Sequence, residues 1–140
     1  MTSSPEKGSV QYINPDSMIT NPAFTQVVAV TGPVKTVYVG AQTAVDASGA
    51  IVGKGDIAAQ TEQTLKNVQT CLEAAGARLE HLVQWNIYIV QGQPIQPAFE
   101  VGQRWWVGRP NPPANSVMFV AGLTHPDFLV GIDAIAVVPQ

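Results

Sequence analysis

Leu129-Val130-Gly131-Ile132-Asp133-Ala134-Ile135-Ala136-Val137-Val138 reads as an apolar strand in which Asp133 is the only charge. A carboxylate in such a setting is costly unless it is paired, hydrogen-bonded or protonated. Proteins keep acids of this kind for structural networks or for chemistry. Upstream lies Asn111-Pro112-Pro113-Ala114-Asn115-Ser116, a stiff turn that feeds a second apolar strand, Ser116 to Ala121. Gly122-Leu123-Thr124-His125-Pro126-Asp127 joins the two strands with turn chemistry. These two strands mark the first place to look for a site.

Moving toward the N-terminus, Pro97 to Val107 is predicted as a helix with Phe99, Gly102 and Trp106 on one face, ended by Gly108. Leu82 to Val90 alternates, with Val83, Trp85, Ile87 and Ile89 on one side and Gln84, Asn86 and Tyr88 on the other, which is a strand. Ile57, Thr61, Leu65, Val68, Leu72 and Ala75 recur at steps of three and four, the stripe of an amphipathic helix. Asp56 is its expected N-cap and Gly76 its stop. Phe24 to Val30 and Thr36 to Gly40 are expected to pair as a hairpin across Thr31-Gly32-Pro33. Residues 1–20 are expected to be irregular, leading into one domain over 1–140.

Two helices cover one face of such a sheet. The last two strands are apolar on both sides, so the second face needs a cover, and another subunit is the simplest one. Composition agrees: charged residues make up 12% of the 140, about half the usual share. A net charge of −3 with no Lys/Arg cluster gives no footprint for nucleic acid. No apolar run is long enough to span a bilayer and the N-terminus is polar, so no membrane association and a soluble, cytoplasmic protein are expected. Cys71 stands alone, and His81 and His125 lack ligand spacing, so no metal is expected.

The element order, together with Gly40-Ala41-Gln42, Gln60, Asn67, Pro113-Ala114-x-Ser116 and Ile132-Asp133-Ala134-Ile135-Ala136, resembles the Rid (reactive intermediate deaminase) family, also called YjgF or L-PSP endoribonuclease-like. The likeness runs from about residue 20 to the C-terminus. It implies an α+β, chorismate mutase-like fold of order β-β-α-β-α-β-β, in a homotrimer with a central barrel and three inter-subunit clefts. It also implies hydrolysis of enamines and imines such as 2-aminoacrylate, with no cofactor. In the family an arginine holds the substrate carboxylate, a glutamate positions water and a tyrosine lines the cleft.

Those three positions correspond here to Asn115, Asp133 and Phe24. An amide does not replace the planar, charged, two-pronged grip of a guanidinium. The resemblance therefore gives Asp133 as the catalytic candidate, with Asn115, Phe24, Gly40, Ala41 and Tyr88 as candidates for binding a small molecule. Two readings stay open for the central pair. Asp133 is either a carboxylate held by backbone amides or a water-holding base. Asn115 is either a turn residue or a neutral group for an uncharged polar ligand. Arg104 and Arg109 are the nearest alternatives to the missing arginine.

Overall fold

A computed structural model describes residues 7–140. Its main sheet has four strands in the order β3-β6-β4-β5, namely β3 (Val34–Gln42), β4 (Leu82–Val90), β5 (Ala114–Val120) and β6 (Val130–Pro139). The apolar C-terminal strand β6 sits inside the sheet, antiparallel to β3 on one side and to β4 on the other. β4 and β5 are parallel. A parallel pair needs a crossover, and helix α2 (Gln96–Trp106) supplies it. The outer side of β5 is a sheet edge, and β5 carries neither charge nor proline.

Helix α1 (Ile57–Ala74) lies across the same face as α2, packing on β6 and β3. Asp56 caps it as expected, its carboxylate accepting from the Ala59 amide at 3.1 Å. The other end closes in a Schellman turn. The Ala77 amide donates to the Leu72 carbonyl at 2.8 Å, the Gly76 amide donates to Glu73 at 3.0 Å, and Gly76 takes φ +76°. Leu65, Val68 and Leu72 are buried from α1 and meet Val37, Val39, Ile132, Ala134 and Ala136 from the sheet.

The expected hairpin between residues 24–30 and 36–40 does not form. Strand β1 (Ser9–Ile13) lies in the segment read as irregular, and it takes β2 (Val27–Thr31) as its antiparallel partner. β3 leaves for the main sheet and pairs with β6. The crossing is tight: a Cβ on Gly8 would lie 2.1 Å from the Pro33 carbonyl oxygen, so only glycine fits where β1 begins. Strand β4 holds a second correction. Its register shifts between Leu82 and Gln84. The bulge turns Leu82, which is fully buried, into the core and leaves the expected Val83 half-buried.

The far face of the main sheet is partly covered at one end, where β1 approaches β6 and the Tyr12 hydroxyl donates to the Leu82 carbonyl at 3.1 Å. The rest of it is open, with Tyr38 77% and Met118 39% exposed. No helix among the described residues is long and apolar enough to cross a membrane.

Candidate functional site

Asp133 lies in the middle of β6, directly opposite Asn86 of β4. Alternation along β4 puts Tyr88 on the same side, so all three side chains emerge on the open face. The Asn86 amide donates to one Asp133 oxygen at 2.8 Å, and the Tyr88 hydroxyl donates to the other at 2.7 Å. These two side-chain donors, rather than backbone amides, make a half-buried carboxylate tolerable inside an apolar strand. The hydrogen bond to Asp133 pushes the Tyr88 phenol above its ordinary pKa, with burial and the carboxylate charge adding to it. An ionised carboxylate accepts about four hydrogen bonds in all, so two protein donors leave room for water.

On the other side of the sheet, α2 roofs a cavity of about 790 Å³. Small residues on the helix leave part of the room. The buried residues of α2 are Ala98 and Val101, and its next position toward the sheet is Gly102. A Cβ on Gly102 would meet nothing within 4 Å. Phe99, Gly102 and Trp106, read from sequence as the packing face, line this cavity instead. Its floor is Trp85, Ile87 and Ile89 of β4 with Asn115 and Val117 of β5. Phe24 closes one side. It is carried there by a loop whose Thr25, 3% exposed, donates its hydroxyl to the Pro112 carbonyl and its amide to the Pro113 carbonyl.

Among the described residues, Arg109 is the single charged residue in the cavity wall. Its guanidinium is partly engaged, with Nε in ion-pair contact but making no hydrogen bond. Nε lies 3.0 Å from Glu80 Oε1, Nη1 donates to the Trp105 carbonyl at 2.9 Å, and the group stands 6.0 Å from the centre of the Trp106 ring. Arg104 is exposed on α2 and does not line the cavity. Trp106 donates its indole N–H to the Pro110 carbonyl at 2.8 Å. Trp85, which meets Trp106 edge-on at 5.5 Å, has a buried indole N–H with no acceptor among the described residues.

The expected site residues thus fall in three places within one chain. Asn115 and Phe24 share the cavity under α2. Asp133 and Tyr88 share the opposite face. Gly40 and Ala41 sit where the β3–β6 register breaks between Val39 and Gln42, and Ala41 lines a separate cleft against α1 with Asn67. Gln60 and Asn67 prove to be loop anchors. Gln60 binds Gly53, Asp127 and Leu129 backbone, and Asn67 donates to the Thr43 and Val45 carbonyls. The sequence reading missed Asn86 as a partner of Asp133 and the cavity that Gly102 lines. Asn86 was visible on the polar side of its strand, but its partner depends on β6 lying beside β4. Among the described residues no three of His, Cys, Asp or Glu cluster as metal ligands.

A family model described as endoribonuclease L-PSP matches residues 17–138. A RutC family protein of Pyrococcus horikoshii is 30% identical over 99 residues, which is 71% of this chain and 76% of that protein. A Rid-family protein from Yersinia pestis, solved as a protein of unknown function, superposes with a TM-score of 0.79 at 32% identity, over 91% of this chain and 97% of its own. The YjgF gene product of E. coli superposes with a TM-score of 0.66 at 27% identity, over 73% of this chain and 80% of its own. The α+β layout, with two helices on one face of a mixed sheet, is the fold these structures share. On this match, this chain belongs to the endoribonuclease L-PSP family, the Rid or YjgF proteins.

Proposed function

We propose that this protein acts on small imine- or enamine-type metabolites in clefts between the subunits of a homotrimer, with a preference shifted away from carboxylated imines. Asp133 carries this reading, because it is a carboxylate fixed at both oxygens by Asn86 and Tyr88 with capacity left for a water. Water held there adds to the C=N carbon and passes a proton to the carboxylate, which hands it to the imine nitrogen to give the neutral carbinolamine. The carboxylate then takes the carbinolamine hydroxyl proton, the C–N bond breaks, that proton goes to the departing nitrogen, and a carbonyl compound and ammonia leave. An enamine first takes a proton on carbon to become the imine. Water is the only co-reactant.

Assembly enters through geometry. Asp133 and Asn115 lie on opposite faces of one sheet, so a site that uses both needs two copies. The open face around Tyr38 and the uncharged β5 edge are the surfaces such copies would cover. The net charge of −3 without a basic cluster speaks against RNA as substrate, despite the family's descriptive name.

Asn115 favours a second reading, a trimer that binds its ligand without turning it over. Hydrogen bonds to a charged group are worth about 1.5–3 kcal/mol, so replacing the guanidinium by an amide weakens a carboxylated substrate by roughly ten- to a hundredfold.

The test is direct. 2-Aminoacrylate and an uncharged imine are generated in situ, and release of the carbonyl product is followed with wild type, Asp133→Asn and Asn115→Arg. The hydrolase reading expects acceleration of the uncharged imine, a loss of about 10²-fold or more in Asp133→Asn, and a gain on 2-aminoacrylate in Asn115→Arg. No acceleration of either compound by any of the three leaves the non-catalytic reading. Light scattering that finds a monomer removes the shared cleft.

A further inference from the structure

We infer that the cavity under α2 selects an uncharged ligand with an apolar body, a ring or branched chain, carrying one hydrogen-bond acceptor of the carbonyl or imine kind. The inference rests on the proposed Rid-type cleft and names the class of molecule that enters it. Three observations carry it.

The first is the wall. Ile87, Ile89, Val117 and the two tryptophans make it apolar, and its volume of about 790 Å³ falls in the range of pockets that enclose small organic ligands. A carboxylate brought among these side chains loses its water, and among the described residues the wall offers it one cation, Arg109. Glu80, which Arg109 shares with Arg78, already stands 3.0 Å from its Nε, so an incoming carboxylate competes with one in place.

The second is the chemistry of the polar groups. Asn115 presents a neutral amide, donor and acceptor in one. Trp85 is 7% exposed, and its buried indole N–H lacks an acceptor among the described residues. That N–H is sealed from the cavity, so Trp85 offers a ligand its ring face and Asn115 the hydrogen bond. A ligand carbonyl or imine nitrogen accepts from the Asn115 N–H with no charge needed on either side.

The third is free room on the helix side of the space. An added Cβ at Gly102 meets nothing within 4 Å, so a larger side chain there would take up part of the cavity that a ligand needs.

The experiment uses a matched pair of stable ketones, phenylacetone and phenylpyruvate, which differ in carrying a methyl or a carboxylate beside the carbonyl. Each is titrated calorimetrically into the full-length wild type, Gly102→Leu and Asn115→Arg. Phenylacetone is expected to bind wild type at least tenfold more tightly than phenylpyruvate. Gly102→Leu is expected to lose phenylacetone binding while its melting temperature does not fall. Asn115→Arg is expected to reverse the preference. Equal or tighter binding of phenylpyruvate to wild type overturns the inference. So does unchanged phenylacetone affinity in Gly102→Leu, and so does binding of neither ketone. If Gly102→Leu melts early, Gly102→Ala takes its place and is expected to weaken phenylacetone severalfold. Neither ketone is turned over, so the ligand class stands or falls by binding alone. The hydrolase reading is judged separately, by Asp133→Asn on a reacting imine.

Discussion

Replacing Gly102 by alanine should make this protein more stable. Gly102 sits in the interior of α2 at a helical backbone angle and outside the set of positive-φ glycines. Glycine in a helix interior is less favourable than alanine by about 0.8–1.0 kcal/mol, because the unfolded chain is freer. That gain is commonly cancelled by a clash, but here the new Cβ meets nothing within 4 Å. Unfolding entropy near 60 °C is about 2.1 cal/mol/K per residue. For the 140 residues of this chain that gives about 0.3 kcal/mol/K, so the alanine variant should melt about 3 °C higher. Gly102→Leu fills more of the space and adds burial of apolar surface, up to about 1.5–3 kcal/mol if its side chain is wholly covered. Calorimetric melting of wild type, Gly102→Ala and Gly102→Leu at one protein concentration measures both. A fall in melting temperature for alanine would refute the reasoning, since it would mean that the space beneath α2 is already filled in solution.

Leu82 and Val83 test the bulge in β4. Leu82→Ala should cost about 2–5 kcal/mol, as for a fully buried leucine, and Val83→Ala distinctly less, by urea unfolding. The reverse order would restore simple alternation through that strand. Tyr88 governs an alkaline limb of stability. Its folded pKa lies above the unfolded value of about 10, so the folded state holds the phenolic proton longer. Its contribution is full below pH 10 and is lost as the pH rises through the raised value. Tyr88→Phe should therefore lose stability less steeply than wild type above about pH 10 in pH-dependent melting. Tyr12, raised by burial, contributes in the same direction and remains in both proteins.

Much of this architecture could be read from local pattern. Helix α1 was legible because its stripe, its Asp56 cap and its Gly76 stop all agree, and such agreement across levels is what specifies an element. β6 was legible as an apolar run with one misplaced acid. What failed was pairing. Phe24–Val30 and Thr36–Gly40 look like a hairpin because a Gly-Pro turn separates them. Yet β2 pairs with β1, and β3 with a strand about 100 residues later in the chain. Local pattern carries no information about which edge a strand joins.

The site was legible in its members and not in its arrangement. Asp133 stood out by cost alone. Its partners Asn86 and Tyr88 required the β4–β6 register, and a single step in that register would have sent them to the other face. Asn115 and Asp133 fall on opposite sides for the same reason of parity. The cavity had no signature at all, because it depends on how far one short helix stands from its sheet.

β5 has a practical consequence. About every second residue of Ala114–Val120 turns free backbone donors and acceptors to a rim with no lysine, proline or other gatekeeper among the seven. Phe119 beside that rim is 52% exposed. A chain stripped of whatever protects this ledge will add strands from its neighbours before it settles as a clear dilute solution. Turbidity on dilution or on mild denaturation is then the expected behaviour, and a lysine at Met118 is the substitution that should clear it.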